Sequence, residues 1–209
     1  CGLYVAFQMQ VNQQLVKWNG AQLIIERPVA IPENWPELPP DLQRAHAVYT
    51  NTVVELDGNW VPVDIQAVDD HYPLVGVLDL QSRSGESAHL SPGHVFVSQM
   101  FASRFANLPE QITVGALTTK LQGVIAAQDE VGGFRFNFNP RILMSLDDLR
   151  DSGLWREGSR VMHYYYFHGS SAALSKYEQQ LKPYLTEHDV VRSPKNSASW
   201  QTVGTDRVT

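Results

Sequence analysis

Hydrophobic and polar positions alternate most clearly between residues 46 and 68, where the chain predicts a β-hairpin. Residues 46–56 are rich in Val, Tyr and Thr, and residues 60–68 carry Val, Ile or Ala at every second position. Such alternation is typical of a strand with one buried face. The Asp57-Gly58 pair between the two segments favours a tight turn. We therefore expect two long antiparallel strands here.

Apolar residues recur every three or four positions in other segments, which predicts amphipathic helices. Ser145, with Asp148 three residues later, matches a capping box. Pro183 should end or bend a helix because it lacks the N–H donor that a helix interior needs. The predicted helices are residues 3–18 before Gly20, a helix from Ser145 to Gly153, a helix that begins at Ser170 or Ser171, and short helices at 33–38 and 99–106.

Short strands are predicted where β-branched and aromatic residues stand between turn residues. Elements of both kinds occur at the two ends of the chain, and a strand-rich stretch lies between them. The pattern predicts an α+β fold in which residues 1–81 and 141–209 form one subdomain and residues 82–140 are inserted into it. The predicted short strands are residues 22–26, 74–80, 95–98, 112–114, 120–126, 161–167 and 189–192.

Composition narrows the class of protein. Among 209 residues, 43% are hydrophobic and 18% charged, which fits a globular core rather than disorder. The net charge of −6 and the lack of a basic run argue against a nucleic-acid surface. No apolar stretch approaches the ~18 residues of a membrane span. Because the chain begins at Cys1, we expect a piece of a longer protein, with an acylated lipoprotein N-terminus as an alternative.

Asp69-Asp70-His71 is the most prominent candidate for chemistry, since carboxylates beside an imidazole can bind a metal or transfer protons. Adjacent residues of an extended segment point to opposite faces, however, so a turn is the favoured interpretation. The sequence contains none of the common nucleophile, zinc or phosphate-binding motifs. We therefore predict no enzyme, metal or cofactor, with a hydrolase that uses His71 and Asp69 or Asp70 as the less favoured alternative.

Aromatic residues offer a second kind of candidate site. Residues 161–167 predict a strand that is dense in aromatic side chains, and one of its faces could remain open. An exposed aromatic surface can contact an apolar ligand or a partner protein, although core packing is the more frequent role of any single ring. The candidate surface residues are Trp60, Trp155, Tyr164 and Tyr166.

Three segments together carry a resemblance to a known family. Residues 67–76 read Ala-Val-Asp-Asp-His-Tyr-Pro-Leu-Val-Gly, residues 140–149 read Pro-Arg-Ile-Leu-Met-Ser-Leu-Asp-Asp-Leu, and residues 158–161 read Gly-Ser-Arg-Val. Their order and spacing resemble the MacB-like periplasmic core domain of FtsX/MacB-family ABC transporter permeases, in particular the YbbP-like branch of predicted exporters. The resemblance extends from about Val5 to about Val191.

This resemblance implies a porter-like subdomain from both chain ends with a sabre-like insertion. It further implies a non-catalytic periplasmic segment of a bacterial inner-membrane protein, attached through membrane helices that this chain lacks. A cytoplasmic ABC ATPase subunit would drive it by mechanotransmission, in export or extraction of hydrophobic or lipid-like molecules, with a periplasmic partner protein or the substrate itself in contact. A periplasmic ligand-binding lipoprotein anchored through Cys1 is the alternative.

Overall fold

The computed structural model describes residues 16, 20–56, 58–105, 107–126 and 139–193. The predicted helix at 3–18, apart from Val16, and Cys1 lie outside the described residues. The helices are α1 (Gln99–Ala102), α2 (Leu146–Asp151) and α3 (Ser171–Leu181), which is followed by a 3₁₀ turn (Lys182–Tyr184). The strands are β1 (Leu23–Arg27), β2 (Leu42–Leu56), β3 (Asn59–Val68), β4 (Leu80–Ser82), β5 (Ser87–Ala88), β6 (His94–Val97), β7 (Gln111–Val114), β8 (Leu117–Ile125), β9 (Arg141–Ser145), β10 (Met162–Gly169) and β11 (Val190–Arg192).

The described strands form one mixed sheet in the order β11-β1-β10-β2-β3-β9-β6-β8-β4-β5, with β7 paired to β8. The β2–β3 hairpin is present as predicted, with Leu56 opposite Asn59 and Ala47 opposite Val68. The pairs β3–β9 and β6–β8 are parallel, and the others are antiparallel. The predicted α+β class is confirmed.

One face of the sheet, here called the helix face, is covered by the helices. Around β2, β3 and β9 it buries a cluster that includes Ile65, Met144 and Phe101, with Leu149 of α2 packed on it. Around β1 and β10 it buries Phe167 against Tyr177 of α3. The alternation predicted for β3 is therefore real, since its odd-numbered residues from 61 to 67 all point into this core.

The opposite face, here called the loop face, is covered by the segment from Tyr72 to Leu90. Tyr72, Leu74 and Leu78 pack over a buried cluster that contains Tyr166 and Phe96. The predicted strand at 74–80 is wrong, because only Leu80 of this segment is in a strand. Leu74 and Leu78 are half-buried by lying across the sheet rather than by joining it.

Two predicted helices also differ from the structure. Residues 33–35 form a turn and a bend, residues 36–38 have no regular secondary structure, and Trp35 is buried in the helix-face core with Leu42. The helix predicted for 99–106 is reduced to α1, which ends at Ala102. Pro36 just beyond Trp35 restricts the preceding residue to extended conformations, which explains the missing first helix.

The predicted helix caps are confirmed. The Ser145 hydroxyl accepts the backbone N–H of Asp148 at 3.0 Å, and the Ser170 hydroxyl accepts that of Ala173 at 3.2 Å. Pro183 lies in the 3₁₀ turn that follows α3, where the helix ends. These local hydrogen bonds satisfy N–H groups that the helix itself leaves free.

The proposed insertion at 82–140 contributes several short strands to the same sheet. β6 is hydrogen-bonded to β9 through Phe96 and Leu143 and also pairs with β8. The described part of the segment is therefore continuous with the rest of the sheet. The division into one subdomain of residues 1–81 and 141–209 and an inserted subdomain of residues 82–140 stays a prediction.

Gly123 is expected to tolerate no side chain. In β8 it lies opposite Ser82, and a Cβ atom would overlap the Gln81 carbonyl oxygen and approach the Ser82 Cα to 2.9 Å. Because both obstacles are backbone atoms, Gly123→Ala should destabilise the fold by about 1–3 kcal/mol, measured by urea unfolding. Lys120→Ala, at an exposed position of the same strand, is the control. Equal midpoints for the two variants would contradict the expectation.

Candidate functional site

A crevice opens where two parallel strands end side by side. Val68 ends β3 and Ser145 ends β9, and the two residues are register partners. After Val68 the chain turns onto the loop face, whereas after Ser145 it enters α2 on the helix face. A crevice at the carboxyl ends of parallel strands, where the connections diverge, is a common place for ligands to bind in α/β sheets.

The cleft at this point has a volume of about 440 Å³. That volume is within the ~300–1,000 Å³ that small-molecule sites occupy. Its lining is mixed: the side chains of Tyr72, Leu78 and Leu90 supply apolar surface, and Asp69 and Asp70 supply carboxylates. We call it the Asp69 cleft.

Asp69 is held in place by the backbone around it. Its two carboxylate oxygens accept the N–H of His46 at 2.7 Å and that of His71 at 3.1 Å. Burial raises the pKa of this carboxyl, while the backbone hydrogen bonds act in the opposite direction. The side chain is therefore a positioned acceptor rather than a mobile surface group.

The Asp69-Asp70-His71 cluster forms a turn, as the favoured interpretation predicted. The His71 Nδ1 atom is 4.0 Å from the Asp69 carboxylate, and the imidazole is 74% exposed. No hydrogen bond joins these two side chains, so they lack the orientation of a base and its carboxylate. Among the residues that the structure describes, no three His, Cys, Asp or Glu side chains converge as metal ligands.

The four aromatic residues of the candidate surface are not brought together. Tyr164 and Tyr166 are only 3% and 0% exposed, which corrects the expectation that they face a ligand. The reason is that the segment after β3 covers the loop face, so that Tyr72 lies on Tyr166 with their ring centroids 5.0 Å apart. Trp155 is half-buried on the helix face.

Trp60 alone among the four presents most of its ring to solvent, with 66% exposure. It lies near the end of the β2–β3 hairpin on the loop-face side, opposite Glu55 in the register. Together with Val53 and Thr113 it lines an open groove of about 460 Å³. This groove is separate in its lining from the Asp69 cleft.

A contact between a half-buried histidine, His46, and a buried one, His163, was not predicted from the sequence. The Nε2 atom of His46 on β2 is 3.0 Å from the Nδ1 atom of His163 on β10. The His46 ring stacks on Tyr165 with centroids 4.4 Å apart, and the edge of Trp155 meets both imidazoles. Burial lowers the pKa of His46 to about 3 and that of His163 to about 4, so both rings are neutral at pH 7.

The sequence offered no signal for this pair. The two histidines are 117 residues apart, and neither stands in a recognisable motif. Only the antiparallel register of β2 and β10 places them on the same face of the sheet. On the helix face the pair packs against the rings of Tyr165 and Trp155.

Comparison with known proteins supports the resemblance. The chain is 30% identical over 122 residues, or 58% of its length, to the uncharacterized ABC transporter permease YbbP of Escherichia coli (strain K12). The matched stretch is 15% of the length of YbbP. No family model matches the chain.

Two solved structures share the fold at low sequence identity. The periplasmic region of MacB from Actinobacillus actinomycetemcomitans superposes with a TM-score of 0.57 and 10% identity, covering 88% of this chain and 94% of that one. The extracellular domain of the noncanonic ABC-type transporter YknZ from Gram-positive bacteria gives 0.51 and 10%, covering 81% and 100%. In the described part of the chain, no helix has both the length and the apolar character needed to cross a bilayer.

Proposed function

Because the chain has the fold of the MacB periplasmic region and resembles an ABC transporter permease in sequence, we propose that it is the non-catalytic extracytoplasmic domain of such a permease. The observation that carries the proposal is the agreement of the two comparisons, since one rests on sequence and the other on fold. The domain contacts a substrate or a periplasmic partner. It moves as a body when a cytoplasmic ATPase hydrolyses ATP.

The position of the two ends of the fold supports mechanical coupling. β1 and β11 pair antiparallel at one edge of the sheet, with Ile24 opposite Arg192. The chain before β1 and the chain after β11 therefore leave the sheet at the same end of this strand pair. Displacement of membrane helices joined to both segments would reach the sheet through one edge, which suits rigid-body movement of a packed domain.

The sites described above supply the proposed contacts. The Asp69 cleft offers apolar walls with two carboxylates, and Trp60 offers an exposed ring at the other groove. We propose that transport concerns hydrophobic or lipid-like molecules, because both sites offer apolar surface beside their polar groups, from Tyr72 and Leu78 in the cleft and from Trp60 in the groove.

A distance measurement on the whole transporter tests the proposed movement. A spin label is attached through Glu187→Cys, an exposed position before β11, in the full permease reconstituted with its ATPase in nanodiscs that contain gadolinium-chelating lipids. The label-to-lipid distance should change between the nucleotide-free and the vanadate-trapped state. As a control, a second label is attached through Ser84→Cys, in the exposed β4–β5 turn. The distance between the two labels should stay the same, since the domain moves as a body.

Two outcomes would contradict the proposal. An ATPase-active complex with unchanged label-to-lipid distances would show that the domain does not follow the ATPase. A gene that encodes one lipidated polypeptide, with no apolar span on either side of this chain, would favour a ligand-binding lipoprotein instead.

A further inference from the structure

In the part of the chain that the structure describes, the Asp69 cleft is lined by acidic residues and by no Lys or Arg. Asp69 and Asp70 are the acidic residues of its lining, and His89, Ser91 and Ser145 add further polar groups. None of the residues that line the cleft, all of which the structure describes, is Lys or Arg. An anionic headgroup would therefore meet two like charges without a counter-charge, whereas a cation would meet two opposite ones.

The Asp69 carboxylate is neutralised only weakly by its surroundings. Its hydrogen-bond donors are backbone N–H groups, and the imidazole of His71 is 4.0 Å away and largely in solvent. Burial raises the pKa of this carboxyl, although the backbone hydrogen bonds and the nearby His71 imidazole act in the opposite direction. A cation placed in the cleft would offset that desolvation, and the attraction would be stronger at a half-buried carboxylate than in bulk water.

The rest of the cleft suits an apolar group. The aromatic ring of Tyr72 and the aliphatic side chains of Leu78 and Leu90 are half-buried around it, and the floor contains the buried side chains of Val68 and Leu80. Val77 on the rim is 84% exposed, which is unusual for an aliphatic residue beside a cavity. Aromatic faces attract organic cations, so the Tyr72 ring is compatible with a charged headgroup as well as with a tail.

We infer that the Asp69 cleft binds a small amphipathic organic cation, with its ammonium group at Asp69 and Asp70 and its apolar part against Tyr72 and Leu78. This inference deepens the proposed function, since it names the ligand class that the extracytoplasmic domain of the transporter would contact. The cleft volume of about 440 Å³ limits the ligand to a short chain or a single ring system. Inorganic cations lack the apolar part and leave the walls of the cleft unused.

Binding is tested on the 209-residue chain by nitrogen–proton correlation spectra during titration with octyltrimethylammonium bromide below its micelle concentration. Saturable shifts are expected at the amides of Val77, Leu78 and Leu90. Sodium octyl sulfate, which has the same tail and the opposite charge, should bind at least about tenfold more weakly, since a tenfold ratio needs only ~1.4 kcal/mol of differential interaction. Calcium chloride should give no shifts at the apolar wall.

Three variants separate charge from packing. Asp70→Asn removes one carboxylate at an exposed position and should weaken octyltrimethylammonium binding by about fivefold or more. Leu78→Asn should weaken both surfactants by a similar factor, because it removes apolar wall. Glu187→Gln removes an exposed carboxylate beyond the far edge of the sheet and should leave the dissociation constant within about twofold, since exposed charges at that range are screened.

Equal affinity for the cationic and anionic surfactants would overturn the inference. Shifts confined to other parts of the domain would also overturn it, as would calcium-induced shifts at the apolar wall of the cleft. Unchanged binding in Asp70→Asn would do the same. The binding test and the nucleotide-dependent distance measurement are independent. A domain that moves with the ATPase but ignores octyltrimethylammonium would keep the proposed function and refute only the ligand class.

Discussion

Asp189→Asn is expected to lower the free energy of unfolding by about 3–5 kcal/mol, because it leaves a buried guanidinium without its carboxylate. The Arg27 Nε atom lies 3.3 Å from the Asp189 Oδ1 atom, and the two side chains are 3% and 0% exposed. The Arg27 guanidinium carbon is 4.8 Å from the centre of the Trp35 ring. Asparagine keeps the size of the residue and an oxygen for the Thr186 N–H, which Asp189 accepts at 2.8 Å.

Because this ion pair is buried and joins two strands, breaking it should cost more stability than breaking an exposed ion pair. Arg27 ends β1, and Asp189 immediately precedes β11, so the pair fastens the last described strand to the sheet. A second ion pair, between Glu26 and Arg192, joins the same two strands. Loss of the first pair should therefore loosen β11 as well as destabilise the whole fold.

Urea unfolding at pH 7 measures the effect, with two comparison variants. Asp147→Asn breaks the exposed ion pair with Arg150 and should cost no more than about 1 kcal/mol. The double variant Arg27→Met, Asp189→Asn also removes the unpaired guanidinium, and it should recover at least half of the lost free energy of unfolding. If Asp189→Asn were as mild as Asp147→Asn, or if the double variant were no better than the single one, the ion pair would not stabilise the fold as argued.

Local chemistry accounts for the elements that the sequence predicted correctly. The β2–β3 hairpin follows from strict alternation and a Gly turn, and the start of α2 follows from the Ser145 hydroxyl that accepts the Asp148 N–H. In both cases the deciding interactions lie within a few residues along the chain. Such features can be predicted without knowledge of the rest of the fold.

The failures concern residues whose environment is set by distant parts of the chain. Apolar residues of 74–80 were predicted to form a strand, but Leu74 and Leu78 are half-buried by crossing the sheet, and periodicity cannot distinguish these two ways of excluding water. Tyr164 and Tyr166 were expected on an open face, and that same crossing segment buries them. The Asp69 turn was predicted from local sequence, whereas the cleft beside it depends on the parallel pairing of β3 with β9.

Acidification from pH 7 to pH 5 is expected to reduce the free energy of unfolding by roughly 2–4 kcal/mol through the His46–His163 pair. Burial holds the pKa of His46 at about 3 and that of His163 at about 4, against 6.5 for an unperturbed imidazole. Between these values the unfolded chain binds more protons than the folded one. The free energy of unfolding therefore decreases as the pH is lowered. One pKa unit corresponds to about 1.4 kcal/mol, and the range given allows for the partial exposure of His46.

The charged groups around the pair act in the same direction. Arg44 and Arg150 lower the pKa of His46 further, and Arg27 lowers that of His163, because each cation disfavours a second positive charge nearby. Burial raises the pKa of Asp69, whose carboxyl accepts the His46 N–H, and this one carboxyl acts in the opposite direction to the two imidazoles. The net effect between pH 7 and pH 5 is therefore destabilising.

His163→Gln isolates the contribution of one imidazole. The variant should lose about 0.5–1.5 kcal/mol at pH 7, since it disturbs the hydrogen bond to His46, yet its stability should depend less steeply on pH than that of the parent chain. His188→Gln, at an exposed imidazole, is the matched control, and its free energy of unfolding at pH 7 should equal that of the parent chain. The measurement is a series of urea midpoints at pH 7, 6 and 5. A parent chain whose midpoint is constant over this range, or a His163→Gln variant that keeps the full slope, would show that the buried pair does not titrate as the structure requires.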